Sequence, residues 1–390
     1  MKTGEIPLGI LYSVTGTYSL IGQACLDGVR LGLEEVNEDP RYPFAFRPEI
    51  EDPGGDIDRY LAFSEAMLRE RGCRHIIGTI TSIGRKEVIP IIEKYDALLW
   101  YMCPYEGFEC CENVIYTGAC PNQHIVPLFR HLLPRYGKRV YLVGSNYIWG
   151  WETNRTAREL VHASGGEVVG EKYLAFSSHD VTRIIEDIRD QEAGFVLNNL
   201  VGTSSYAFLS AYHEAGRSDP GFAPENRPVV SCNLTEAELD SIGAAAEGLL
   251  STAIYFDSLE SAASRAFRER VRQRFGTAQR NSVYLVNAYI AVKLLAEAIL
   301  VCGSDEIEAV REALFGLALE TPLGVAAIDR RTNHATLRPY IGRGAADGSF
   351  KVIEAAPAPI VADPYLVDFD ARQFGLEVNR RSATQLRVVK

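Results

Sequence analysis

The chain has 390 residues and is 47% hydrophobic, 23% charged and 10% aromatic, the balance of an ordinary globular protein with enough length for two domains. Its net charge of −11, with no dense block of Lys or Arg, excludes a phosphate-binding face for direct nucleic-acid contact. No run approaches the ~18–20 continuous apolar residues of a membrane span, so none is expected.

The N-terminus, MKTGEIPLGILYS, enters a strand almost at once. Its apolar run is too short for a signal-peptide core, and no small-residue cleavage site follows. A cytoplasmic protein is the expectation, with a periplasmic one as the alternative if a leader has been removed. Eight cysteines are scattered without a CxxC pair. Cys103, Cys110, Cys111 and Cys120 cluster, but their spacing matches no zinc pattern and His124 does not complete one. No metal and no cofactor is expected, and reduced thiols fit better than a disulfide framework.

Strand-like and helix-like patterns alternate. Residues 6–12 read as a strand, and 18–37 as a helix with Leu26, Val29, Leu33 and Val36 on one face. A strand at 44–51 ends in the turn DPGGD, where Asp56 is placed to cap a helix over 57–71. A strand at 75–80 leads to a helix over 82–95, with Ser82 as its cap and Pro90 inside it. The run Leu98, Leu99, Trp100, Tyr101, Met102 is a buried strand that stops at Cys103-Pro104, and 114–116 is a short strand.

A second series starts near Pro121. Helices are expected over 122–136, 149–164, 180–191 and 203–215, and strands over 139–144, 167–176, 194–200, 228–232 and 248–256. Thr235 with Glu238 reads as a capping box. Three more helices follow at 261–275, 283–302 and 305–317. The tail holds short strands at 325–329, 336–341 and 350–354, and the Pro-rich AAPAPIVADPY suggests an irregular close.

Such alternation requires parallel sheets covered on both faces. The expected fold is α/β, two doubly wound parallel-sheet lobes with a ligand cleft between them. The N-terminal lobe takes residues 1–120 plus about 253–328, and the C-terminal lobe 121–252 plus about 329–390. Ligands bind past the carboxyl ends of strands in such sheets. Tyr101, Tyr105, Phe108, Tyr147, Trp149, Trp151 and Tyr255 all fall at or just beyond proposed strand ends. Tyr and Trp pair an apolar body with one polar group, which suits a small uncharged polar compound. For an amino acid's ammonium the nearby acids are Glu106, Glu152 and Asp257, none plainly placed for the task.

Catalytic fingerprints are lacking. The loop after the first strand, Ser13 to Tyr18, has one glycine and no dinucleotide motif. Gly144-Ser145-Asn146-Tyr147 lacks the second glycine of a nucleophile elbow. Cys103 as an amidase nucleophile would need a base that no spacing nominates. Gly202-Thr203-Ser204-Ser205 either offers backbone N–H groups to a ligand or is a plain helix cap.

Across nearly the whole chain, in order, run DPGGDIDRY (52–60), the small-residue turn before Arg85-Lys86, PYEGFE (104–109) and GACPNQ (118–123). GSNYIW (144–149), VGT (201–203), TEAE (235–238) and DPY (363–365) follow. With these motifs the chain resembles the amide receptors of aliphatic amidase operons, which have a type I periplasmic-binding-protein fold. PYEGFE with PNQ is also similar to transporter binding proteins for urea and short amides. The resemblance implies a non-enzymatic, ligand-sensing regulator. It would bind a small aliphatic amide or urea-like ligand and restrain a partner antiterminator until the amide arrives; a homo-oligomer stays open. The alternative is a substrate-binding protein of an ABC transporter for urea, short amides or branched-chain amino acids.

The resemblance places Ser82, Tyr101, Cys103, Pro104, Tyr147 and Asn233 at ligand-contacting positions. Ser82 and Tyr101 would hydrogen-bond the amide and Tyr147 would close from the other lobe. Ile80 stands where the family has a pocket tyrosine, and Cys103 and Asn233 each replace a threonine. Those changes point to a bulkier or more apolar amide than acetamide. Trp149, Thr203 and Tyr255 complete the candidate ligand-binding set.

Overall fold

Two separate parallel sheets organise the protein, whose computed structural model describes residues 4–386. The first sheet carries β1 (Gly4–Leu11), β2 (Phe44–Glu51), β3 (His75–Gly78), β4 (Leu98–Tyr101) and β5 (Val114–Tyr116). The second carries β6 (Arg139–Ser145), β7 (Glu167–Leu174), β8 (Phe195–Asn199), β9 (Val229–Ser231) and β10 (Leu250–Ala253). A small hairpin, β11 (Leu319–Thr321) and β12 (Gly324–Ala326), follows; β13 (Ile328–Asp329) and β14 (His334–Ala335) then extend the first sheet. Strands β15 (Tyr340–Gly344) and β16 (Phe350–Ala355) add an antiparallel edge to the second.

The strand orders are β13-β14-β5-β4-β3-β1-β2 and β16-β15-β10-β9-β8-β6-β7. Each is a doubly wound order, as the alternating pattern requires. Helices α1 (Ser19–Glu38), α2 (Ile57–Arg69) and α3 (Ser82–Lys94) connect the first sheet. Helices α4 (Ile125–Tyr136), α5 (Ile148–Ala163), α6 (Thr182–Asp190), α7 (Thr203–Ser218) and α8 (Leu239–Ile242) belong with the second. Then come α9 (Ala262–Phe275), α10 (Val283–Cys302), α11 (Ile307–Phe315) and α12 (Ala371–Leu386). The chain changes unit after Ala119, Ser258, Arg338, Ala358 and Ala362.

Several local expectations need correction. Thr81, not Ser82, caps α3: its hydroxyl accepts the Gly84 N–H at 3.0 Å, leaving Ser82 as the first helical residue. The capping box at Thr235 is half made. The Glu238 carboxylate takes the Thr235 backbone, but the Thr235 hydroxyl has no partner among the described residues and the turn is 3-10 rather than α. The helix expected at 122–136 opens with a separate 3-10 turn, Pro121–Gln123. The tail does not close irregularly throughout. Beyond the Pro-rich segment, α12 buries Phe374 and Val378 and packs beside α4 and α5. Asp56 caps α2 as expected, accepting the Arg59 N–H at 3.0 Å.

Helix α10 is long and apolar because it is a core helix: 72% of its most apolar window is buried. Its partner α1 approaches through glycine. A Cβ on Gly28 would lie 2.0 Å from the Leu285 carbonyl oxygen, and one on Gly32 would lie 2.9 Å from Val292 Cβ. Neither backbone can yield without moving a helix. Gly28→Ala should therefore destabilise the first unit by about 2–3 kcal/mol, read as a lower midpoint in urea denaturation. An unchanged midpoint would show that the helices part at no cost.

Candidate functional site

In each sheet the strand order reverses between two central strands, β1/β3 in the first and β6/β8 in the second. Loops leaving such a pair diverge and open a crevice at the carboxyl edge. In the first unit these loops hold Ser13–Tyr18 and Thr79–Ser82, with Met102–Pro104 leaving the next strand, β4. The DPGGD turn braces the first loop. Asp52 accepts from Val14 N–H (3.1 Å), the Thr15 hydroxyl (2.8 Å) and Gly54 N–H (2.8 Å), while Tyr60 bonds Ser13 at 2.8 Å.

Behind the other two loops lies a buried ion cluster. Arg85, on the first turn of α3, is fully buried and donates to Glu106 Oε1 at 2.9 Å and Glu109 Oε1 at 2.7 Å. Its guanidinium lies 4.6 Å from the Tyr101 ring centre and 4.7 Å from that of Tyr105. Lys86 reaches Glu109 Oε2 at 2.8 Å, and the Tyr116 hydroxyl donates to Glu109 Oε1 at 2.8 Å. Burial would raise the Glu109 carboxyl, but Arg85 and Lys86 outweigh it and hold its pKa at about 2. Two cations face two carboxylates, so the cluster is electroneutral. The PYEGFE segment supplies Tyr105, Glu106 and Glu109, and its bend rests on left-handed Gly107 (φ 81°) and Phe108 (φ 56°).

Of the expected site residues, Ile80, Ser82, Tyr101, Cys103 and Pro104 gather at this edge. The Tyr101 hydroxyl donates to the Ile80 carbonyl at 2.8 Å, and the Ser82 hydroxyl donates to Glu106 Oε2 at 2.5 Å. Each has thereby given its one proton to a protein acceptor, so toward any further group it can only accept. The Cys103 thiol lies 4.0 Å from the Thr79 carbonyl, a weak contact. Two donors in the same neighbourhood, Arg85 Nη1 and the Thr79 hydroxyl, are buried without a partner among the described residues.

Tyr147, Trp149, Thr203, Asn233 and Tyr255 belong to the second unit, at the carboxyl ends of β6, β8, β9 and β10. Tyr147 precedes α5, its ring 4.8 Å from that of Phe176. Trp149 is buried beside His124, and its indole N–H has no partner among the described residues. Thr203 opens α7 after left-handed Gly202 (φ 58°) and is exposed. Asn233 is half-buried, its side-chain oxygen accepting from Ser231 at 2.8 Å. Tyr255 is buried and donates to Asp257 at 3.3 Å. Among the expected acids, Glu106 is engaged as described and Glu152 pairs with Arg155 at 2.8 Å.

The sequence reading passed over Thr79 and Asn287. Asn287 is the polar interruption of the apolar α10 run, and it donates to the carbonyls of Met102 (2.8 Å) and Thr117 (3.0 Å), fixing the loop that carries Cys103. That lone amide in an apolar helix was a usable signal; Thr79 offered none beyond the small polar run GTITS. Among the described residues, no group of three or more His, Cys, Asp and Glu side chains stands ready to hold a metal ion.

Comparison with known proteins gives a consistent answer. The family described as periplasmic binding protein domain matches residues 6–370. The Leu/Ile/Val-binding protein homolog 6 of Brucella abortus is 25% identical over 348 residues, 86% of this chain and 86% of that protein. A solute binding protein of an ABC transporter from Rhodopseudomonas palustris, solved with p-hydroxybenzoic acid, superposes with a TM-score of 0.83 at 20% identity, covering 94% of this chain and 100% of that one. A branched-chain amino acid transporter substrate binding protein from Streptococcus pneumoniae, solved with isoleucine, gives 0.78 at 14% identity, covering 91% and 99%. At such identities these structures speak for the fold alone.

The first unit also contains two buried histidines, His75 and His334, whose burial lowers each pKa to about 4. Below the ordinary value near 6.5 the unfolded chain binds protons that the folded unit refuses. Stability is therefore full above about pH 6.5 and falls toward pH 4, each histidine contributing on the order of 3 kcal/mol. Glu109, held low, extends the loss from about pH 4.5 toward 2. Urea denaturation should show a midpoint dropping steadily from pH 7 to 5, with a shallower slope in His334→Gln. A flat profile over that range would contradict the assigned neutral histidines.

Proposed function

Because the chain belongs to the periplasmic binding protein domain family, we propose that it is the substrate-binding protein of an ABC-type transporter and that its solute is a small uncharged amide or urea-like compound. The observation that carries the solute class is the state of the first unit's wall. Its ion cluster is charge-balanced, so it offers no spare cation to a carboxylate and no spare anion to an ammonium. Ser82 and Tyr101 can only accept hydrogen bonds, while Arg85 Nη1 and Thr79 still have protons to give. A primary amide matches that set, since its NH₂ donates twice and its carbonyl accepts. Cys103 and Ile80 beside these groups supply the apolar part of the lining; Pro104, Tyr147, Trp149, Thr203, Asn233 and Tyr255 are proposed as further contacts.

The relatives' names set the transporter role above the regulator role. The Brucella protein is named for leucine, isoleucine and valine, and the superposed structures are transporter solute-binding proteins. We accordingly place this protein in the periplasm rather than the cytoplasm, and an antiterminator partner finds no support among these relatives. No catalytic step is proposed for Cys103.

Thermal-shift measurements with short amides, urea, isoleucine and p-hydroxybenzoate test the reading. We expect an amide or urea to raise the melting temperature most. Replacing Ile80 by Tyr together with Cys103 by Thr should move the preference toward smaller amides by about tenfold in affinity, the worth of one or two methylenes in a pocket. Stabilisation by isoleucine or the aromatic acid, with no response to any amide, would overturn the solute class.

A further inference from the structure

A cavity of about 390 Å³ in the second unit is not at the carboxyl edge where the candidate residues lie. It opens at the opposite edge, beside Val229 and Leu249 at the amino ends of β9 and β10 and beside Gly344, the last residue of antiparallel β15. That volume is within the range of small-molecule sites. Its floor is apolar and buried, formed by Leu209, Tyr212, Phe222, Val229 and Leu249. Such a floor binds hydrocarbon by removing it from water.

The rim carries arginines. Arg217, Arg227 and Arg343 line the cavity together with Glu225 and Glu247. Arg217 pairs with Glu214 at 3.1 Å. The other two are half-buried and carry no carboxylate partner among the described residues. Arg227 donates to the carbonyls of Ala193 (3.0 Å) and Ile188 (2.8 Å), with its guanidinium 5.4 Å from the Phe222 ring centre. Arg343 donates to the Tyr136 hydroxyl at 3.1 Å. A guanidinium has five N–H groups in a fork that matches a carboxylate. Both arginines thus keep N–H groups beyond those used, above an apolar floor.

We infer that this cavity is a second ligand site, one that takes a small monocarboxylate with an apolar body, its chain or ring on the Leu209–Phe222 floor and its carboxylate on Arg343 and Arg227. The site is independent of the amide reading, since it shares no residue with the candidate set.

Calorimetric titration with hexanoate, and with hexanamide as the uncharged control, tests it. Hexanoate should bind, hexanamide should bind at least about tenfold more weakly here, and Arg343→Gln should lose about tenfold for hexanoate, or ~1.4 kcal/mol. Amide nitrogen–proton NMR on the same samples should place the hexanoate shifts at Leu209, Tyr212 and Leu249. If Arg343→Gln fails to fold, Ala346→Trp at the cavity mouth should abolish the same shifts. No hexanoate binding at millimolar concentration, equal affinity in the variants, or shifts confined to the Ser82–Tyr101 edge would overturn the assignment.

Discussion

The buried Arg85 ion cluster is the interaction on which the first unit's candidate edge depends. A guanidinium without water is tolerable only if its charge is met, and Glu106 and Glu109 meet it at 2.9 and 2.7 Å. The consequences spread outward. Glu106 reaches Ser82, Glu109 takes Lys86 and Tyr116, and the guanidinium sits against the rings of Tyr101 and Tyr105. One helix turn, one loop and two strands are thereby locked into a single arrangement. A half-satisfied cluster of this kind would cost more than an apolar core, so its members act as a unit.

That arrangement also decides what the edge can recognise. Two hydroxyls that look like generic donors in a sequence are acceptors here, because each has already given away its proton. The donors that remain, on Arg85 and Thr79, look unremarkable in sequence and become notable only as buried atoms without partners. The proposed preference for an uncharged solute rests on charge balance rather than on any single residue.

Much of this was legible in the sequence. The two doubly wound sheets followed from the strand–helix alternation, and the helix Val283–Cys302 from its helical pattern. Asp56 was readable as a cap because its side chain needs only a local N–H. Ser82 was misread as a cap because Thr81, one residue earlier, competes for the same role with the same chemistry. The box at Thr235 is half made because the Glu238 N–H goes to the Thr235 carbonyl at 3.2 Å in a 3-10 turn rather than to the Thr235 hydroxyl. Helix α12 was missed because the Pro-rich segment before it masks a pattern that makes sense only against α4 and α5. Glu106 was visible as an acid near the site, but its partner Arg85 lies in another element, and no local spacing announces such a pair.

The charge-balance claim has a direct test in Glu106→Gln. Glutamine keeps the shape and its one carbonyl oxygen can still accept from Arg85, but its NH₂ then faces the Ser82 hydroxyl and the cluster is left with one uncompensated positive charge. Calorimetric titration of isobutyramide and isobutyrate should show the parent protein preferring the amide and the variant shifting at least about tenfold toward the carboxylate. The same order of preference in both proteins would contradict the account.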